Sequence, residues 1–185
     1  YPTVMILPAT SLYRVPNVQF EATLVYTNNT YCQAMRGYGN PEVSWAIESN
    51  LDELAIAANI DPAELRLRNC NEAGDITPMG LKISTCGLRQ CIERTTENLD
   101  WKTRRGQDQH RRRGVGLASL IHVGGSGRIY RSDASGIILK LDDYANVNVY
   151  YGGVEMGQGL HAVLIAAVAD ALGVRPESVH INQTD

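Results

Sequence analysis

The sequence predicts an α+β (mixed α/β) fold, and three observations carry that prediction. Apolar residues recur at helical spacing between Val43 and Ala58. β-forming residues alternate in two short runs, residues 137–141 and 147–151. An apolar stretch, residues 160–172, then runs into Gly173. Strands and helices are mixed without a strict βαβ repeat, and no internal repeat is evident.

Taken in order, the chain opens on an apolar run, Val4 to Leu7, and residues 20–26 (with Thr23, Leu24, Val25 and Tyr26) favour a strand. A polar Asn28-Asn29-Thr30 turn and a second short segment, residues 31–35, follow. Asn40 suits an N-cap and Pro41 the first position of a helix. That helix would turn Val43, Ile47, Leu51, Leu54, Ala55 and Ala58 to one face. A second helix is expected from Asp61-Pro62, with Leu65 inward and Arg66 and Arg68 outward. Residues 72–82, holding Gly74, Pro78 and Gly80, read as a loop. Ser84 or Thr85 is expected to cap a third helix over residues 88–98. Residues 102–113 carry seven basic side chains, counting His110, and read as a solvated connection or a phosphate-binding patch. They are expected to join two lobes, approximately 1–100 and 114–185. Beyond them the pattern turns to strands, beginning with the small apolar residues 114–123. A hairpin is expected about Asp142-Asp143-Tyr144-Ala145-Asn146, then a glycine-rich loop, the apolar helix over 160–172, and a strand-like stretch at 178–181.

Composition narrows the class. With 44% hydrophobic and 20% charged residues, the chain is built like a soluble globular protein. A net charge of −3 supplies no global field for nucleic acid or an anionic membrane. The longest strongly apolar stretch, 160–172, is too short to span a bilayer and contains His161 and Asp170. Cys32, Cys70, Cys86 and Cys91 form no C-x-x-C pair and no histidine stands at finger spacing, so free thiols are expected rather than a structural zinc site. The expected compartment is the cytoplasm, where the two Asn-x-Thr sequons at Asn28 and Asn182 carry no meaning. The chain starts at Tyr1 without a signal-like segment and stops at Asp185 just after a strand-like run, so it reads as a fragment.

Three segments have the makings of a site. In Gly152-Gly153-Val154-Glu155-Met156-Gly157-Gln158-Gly159, four of the eight residues between a strand and a helix are glycine. Such a loop lets backbone approach a ligand, and the helix after it offers N–H groups to an anion. Gln158 adds an amide that both donates and accepts. The spacing fits neither a Walker loop nor the dinucleotide fingerprint. A phosphate or heterocycle cradle and a bare strand-to-helix turn both remain open. The second segment is Gln33-Ala34-Met35-Arg36-Gly37-Tyr38-Gly39. Arg36 can hold an oxyanion with its planar fork or pair with a carboxylate, and Tyr38 can face an aromatic ligand or simply pack. The third, Ile121-His122-Val123-Gly124-Gly125-Ser126-Gly127, suits a flexible loop near a ligand or, more simply, a plain hairpin connection, with His122 and His161 as satisfied core residues. No Ser/His/Asp or Cys/His arrangement supports nucleophilic hydrolysis.

Two of these segments, in this order and separation, resemble the large molybdopterin-binding subunit of the molybdenum hydroxylases, the xanthine dehydrogenase and aldehyde oxidase family. The arginine loop stands here as Met35-Arg36-Gly37-Tyr38-Gly39-Asn40-Pro41, and the family's Gly-Gly-x-Glu-x-Gly-Gln-Gly signature stands at residues 152–159, followed by Leu160-His161. Between them, Asp61-Pro62-Ala63-Glu64-Leu65-Arg66-Leu67-Arg68-Asn69 and Cys86-Gly87-Leu88 are also similar to the family. The resemblance covers essentially the whole chain and implies part of the aldehyde oxidase/xanthine dehydrogenase molybdopterin-binding domain.

By that resemblance, Arg36 and Gly37 lie near the molybdenum centre, Met156, Gly157 and Gln158 contact the pterin cofactor, and Tyr38 lines the substrate pocket. It implies molybdopterin with molybdenum, in the cytosine dinucleotide form, and iron–sulfur clusters and FAD on partner chains. The implied chemistry is hydroxylation or reductive dehydroxylation of a heteroaromatic, aldehyde or aryl-CoA substrate, in a xanthine dehydrogenase-like or 4-hydroxybenzoyl-CoA reductase-like member. The family's catalytic glutamate falls in a motif beyond Asp185, so no catalytic residue and no direct metal ligand is expected here, and this stretch alone is expected to be inactive. Glu155 belongs to the cofactor loop by the motif match. A non-catalytic nucleotide- or phosphate-binding module using residues 152–159 is the competing reading, and a scaffold with no ligand is a third.

Overall fold

The computed structural model describes residues 2–31, 35–105, 114–122 and 134–182. Cys32, Gln33, Ala34, most of the basic segment and the Gly124–Gly127 loop lie outside the described residues. The chain divides into two compact units, Tyr1–His122 and Val123–Asp185.

The first unit is helical: α1 (Pro2–Ser11), α2 (Asn40–Ala57), α3 (Pro62–Arg68), α4 (Leu88–Asn98) and the single turn α5 (Trp101–Arg104). α3 starts where a proline and a capping carboxylate dictate. Asp61 accepts from the Ala63 and Glu64 N–H groups at 2.8 and 3.2 Å, and also takes the Trp101 indole N–H at 3.0 Å. Trp101 thereby joins Ala63, Cys70 and Ile92 in a buried cluster, against which Leu67, Leu88, Val115 and Leu117 pack. At α4 neither Ser84 nor Thr85 is the cap; the N-cap is Gly87, and no side chain caps the helix.

One expectation about faces is overturned here and a second is met only in part. Arg66 points inward, not outward: its side chain is buried, bonded to Glu48 Oε2 at 2.8 Å, to Asp52 Oδ1 at 2.8 Å and to the Glu48 carbonyl at 3.0 Å. The most deeply buried side of α2 is largely polar, while of its expected apolar stripe Ala55 is buried, Val43, Ile47 and Leu51 are half-buried and Ala58 is exposed. Asn40, Ser44, Glu48 and Ala55 are buried, whereas Leu54 is 54% exposed. The polar residues recur every four positions and grip the chain beside them: Ser44 donates to Asn40, Asn40 donates to the Ile121 carbonyl, and Glu48 accepts the Ser119 N–H. Residues 114–122 form no ladder strand, although their exposure alternates residue by residue. Side chains of α2 take the place of a pairing strand. Residues 20–26 form no strand either; Leu24, Val25 and Tyr26 stand exposed, with no ladder partner among the described residues.

The second unit is a three-stranded sheet carrying one helix. β1 (Ile137–Leu141) and β2 (Val147–Tyr151) pair antiparallel, from Ile137 opposite Tyr151 to Leu141 opposite Val147. α6 (Leu160–Leu172) then returns the chain so that β3 (Val179–Asn182) pairs parallel to β2. The hairpin turn is held by Asp142, whose carboxylate accepts the Tyr144 and Asn146 N–H groups, both at 2.9 Å. Those bonds, the Asn146 N–H first, keep the Asp142 carboxyl below its usual range. α6 ends as its sequence directs, on Gly173 in the left-handed region. Val147, Val149, Val168, Ala169 and Val179 make the core between sheet and helix. All five residues of β1 are exposed. Among the described residues no helix is long and apolar enough to cross a membrane.

Replacing Arg66 with methionine strands the buried Glu48 carboxylate. Unpairing a buried ion pair in this way costs about 3–5 kcal/mol. Urea unfolding of the Arg66→Met chain is therefore expected to show a much lower midpoint, and an unchanged midpoint would make the pair dispensable.

Candidate functional site

Each group of expected site residues lies within one unit. In the first, residues 36–39 form a tight turn directly before α2. Gly37, Tyr38 and Gly39 are all left-handed, with φ of 104°, 51° and 92°. The Tyr38 N–H donates to the Met35 carbonyl at 2.8 Å, and the Asn40 N–H to the Gly37 carbonyl at 3.0 Å. Glycine is required at 37, because a Cβ there would sit 2.6 Å from Pro41 Cδ. The N-cap of α2 is Gly39 rather than Asn40, whose side chain is committed to Ile121. A left-handed tyrosine is strained, and such strain gathers at ligand sites. The turn leaves Arg36 exposed and Tyr38 38% exposed. Among the described residues no carboxylate forms an ion pair with Arg36.

In the second unit the glycine loop joins β2 to α6. Gly153 allows the strand end and helix start to close together, since a Cβ there would lie 2.9 Å from Leu160 and 3.3 Å from Tyr151. Tyr151 Oη and His161 Nε2 share a hydrogen bond of 2.6 Å across this closure, its donor set by the imidazole tautomer. His161 is thus satisfied, as expected, whereas His122 is exposed and not a core residue.

The loop's polar groups are turned on itself. Glu155 Oε1 accepts the Gly157 and Gly159 N–H groups at 2.7 and 3.1 Å, and Oε2 accepts the His161 N–H at 3.2 Å. The His161 bond foremost, with those of Gly159 and Gly157, holds the Glu155 carboxyl below the ordinary carboxylate range. Gln158 does not extend away from the loop as its flanking glycines suggested. Its Oε1 accepts the Met156 N–H at 2.6 Å and its Nε2 donates to the Val154 carbonyl at 2.7 Å. The phosphate-cradle reading finds no support in this geometry, because the Gly157, Gly159 and His161 N–H groups are already taken by a carboxylate. Sequence reasoning placed Glu155 in the loop by its motif but missed this capping role. A carboxylate followed at two, four and six residues by N–H groups at a glycine-marked helix start was the available signal. Met156, 59% exposed, and the exposed Gly157 and Gln158 form the outer surface of the loop.

Two family models, each described as a molybdopterin cofactor-binding domain, match residues 1–70 and 94–185. The chain belongs to the molybdenum hydroxylase family. It is 36% identical over 170 residues to the xanthine dehydrogenase molybdenum-binding subunit of Escherichia coli, covering 89% of this chain and 22% of that relative. To aldehyde oxidase 1 of Bos taurus it is 26% identical over 187 residues, 97% of this chain and 14% of that protein. The aldehyde oxidoreductase structure from Desulfovibrio desulfuricans superposes with a TM-score of 0.59 at 27% identity, over 80% of this chain and 17% of that one. This molybdenum hydroxylase chain thus spans about a fifth of the length of its Escherichia coli relative.

The exposed groups suit molybdopterin, the cofactor both models describe. Arg36, which forms no ion pair among the described residues, can take an oxyanion, and Met156 offers a soft apolar contact to a ring. Gln158 has spent one N–H and one lone pair on its loop and retains one of each for a heterocycle edge. Among the described residues no cluster of three or more His, Cys, Asp or Glu side chains could hold a metal ion. A concavity of about 810 Å³ opens between α4 and residues 117–121, but none of the expected site residues lines it.

Gly37→Ala tests the turn itself. The left-handed backbone costs a residue with a Cβ about 1–2 kcal/mol, and the collision with Pro41 adds to that. Hydrogen exchange at the Asn40 and Val43 amides, which donate to the Gly37 and Gly39 carbonyls, is expected to accelerate. Exchange at the parent rate would show that the turn tolerates a side chain.

Proposed function

We propose that this chain supplies part of the cofactor surroundings in an oxidoreductase that hydroxylates, or reductively dehydroxylates, a heteroaromatic, aldehyde or aryl-CoA substrate. One observation carries the reading: each matched stretch exposes its motif residues on a left-handed glycine turn, Arg36 in one and Met156, Gly157 and Gln158 in the other. Arg36 would hold an oxygen-rich edge through its two-pronged fork, with Gly37 letting the backbone come close. Met156 and Gln158 would lie along the pterin, the thioether on its face and the amide on its edge. Tyr38 would border the substrate, its phenol adding a donor to an otherwise apolar wall.

When bound, the molybdenum cofactor supplies the two-electron redox centre at which oxygen is exchanged with the substrate carbon. The residues here bind and orient; no side chain of this chain is assigned the proton transfer. The cytosine dinucleotide form of the cofactor, iron–sulfur and FAD-bearing partner chains, and a cytoplasmic setting belong to the same proposal. They are supported by the family and by the molybdenum-binding subunit among the relatives.

Arg36→Lys in the complete enzyme decides the arginine's role. Lysine keeps the charge and loses the planar fork. Turnover is expected to fall strongly while the variant folds as the parent does. Parent turnover together with full molybdenum content would make Arg36 a structural residue.

A further inference from the structure

We infer that Glu155 is the positioning residue of the cofactor loop: its carboxylate serves as an internal anion at the start of α6 and thereby presents Met156 and Gln158 to the ligand. The inference rests on the reading that these two residues touch the cofactor.

The geometry assigns the role. The first turn of a helix leaves N–H groups without intrahelical partners. The N-cap residue of α6, Gly159, has no side chain to offer them. Glu155, four residues earlier, reaches forward and takes the Gly157, Gly159 and His161 N–H groups with both its oxygens. Gly157 and Gly159 are left-handed, with φ of 91° and 82°, and this is what turns their N–H groups to one point. A negative charge there is favoured by the helix dipole, so the carboxylate also meets an electrostatic preference. Tyr151 and His161 close the base of the loop, and Gln158 ties Val154 to Met156. The stretch from Met156 to Gln158 is left exposed, as is Val154 before it. The loop is therefore shaped before any ligand arrives, and its ligand contacts are uncharged ones.

The test uses the complete enzyme and measures bound pterin, by fluorescence after release, and molybdenum per subunit. The Glu155→Ala variant in chloride buffer is expected to retain about tenfold less pterin after gel filtration, the scale on which residues one step removed from a bound centre act. Acetate at the same ionic strength is expected to restore retention by filling the vacated anion position. Glu155→Gln keeps an acceptor oxygen without the charge; it is expected to fall between parent and alanine variant and to ignore acetate. Should Glu155→Ala not fold, the glutamine variant decides alone, parent-like retention overturning the inference. Pterin loss that acetate does not repair would reduce Glu155 to a merely structural residue and also overturn it. A Gly157→Val control separates the two levels. If it strips pterin while both Glu155 variants keep theirs, only the positioning role is lost; if it too keeps pterin, the loop is not a cofactor contact and the underlying reading falls with the inference.

Discussion

The first unit depends on one buried guanidinium. Arg66 lies with its side chain wholly inside, and a charge there is tolerable only if its donors are met. Four bonds meet them: to the Glu48 carboxylate, the Asp52 carboxylate, the Glu48 carbonyl and the Pro62 carbonyl. Burial pulls the Arg66 pKa down, but the bonds to Asp52 and Glu48 outweigh it and the net direction is up. Glu48 then spreads the constraint. Its Oε1 accepts from the Tyr13 hydroxyl at 2.7 Å and its Oε2 from the Ser119 N–H at 3.1 Å. One charged pair thus joins α2 and α3 to the chain after α1 and to residues 114–122. Burial above all pushes the Tyr13 phenol far up, so it remains a donor to Glu48 throughout the ordinary pH range.

That constraint also explains what the sequence did and did not reveal. The positions of α2, α3, α4 and α6 were legible because their signals are local, as where Asp61-Pro62 starts α3 and Gly173 ends α6, whereas α1 read only as an apolar run. The hairpin was legible for the same reason, Asp142 bonding to amides only two and four residues away. Inward and outward faces were legible only in part, Leu65 and Ala55 being buried as expected, because periodicity counts apolar residues and assumes they are the buried ones. On α2 the polar residues at 40, 44 and 48 are buried, each bonded to a partner distant in sequence or one turn away. Nothing at position 66 marks it as the arginine whose counter-charge lies eighteen residues upstream. The failed strand at 20–26 has a similar origin. Its alternation is real, but a strand also needs an edge to pair with, and alternation carries no information about the partner.

The glycine loop shows a related limit. Four glycines before a helix suit either an anion cradle or a bare turn, and the backbone N–H groups there do converge. The residue within the motif that meets them, Glu155, is a carboxylate whose bonds run to amides two, four and six residues on. Counting glycines reveals that backbone N–H groups converge; only the position of the nearest acidic side chain shows whether they remain available. Gln158 teaches the same lesson, since its amide stabilises the loop before it can face anything else.

The two candidate turns, although they belong to different units, solve one physical problem in the same way. A residue that must hold a ligand in a fixed orientation needs a rigid backbone beneath it, yet it must itself stay exposed. Left-handed glycines provide the sharp reversal that lifts a side chain off the helix start, but they add no rigidity of their own. Rigidity comes from polar side chains at the base. Under Arg36 and Tyr38 it is Asn40, held to the Ile121 carbonyl and to Ser44, on a helix fixed in turn by Glu48 and Arg66. Under Met156 and Gln158 it is Glu155 together with the Tyr151–His161 bond. Asn40 and Glu155 give the turns their shape without facing the ligand, Arg36 and Met156 face it without shaping the turn, and Gln158 does both, so a substitution at the base of a turn reaches the ligand only through the geometry of the residues above it.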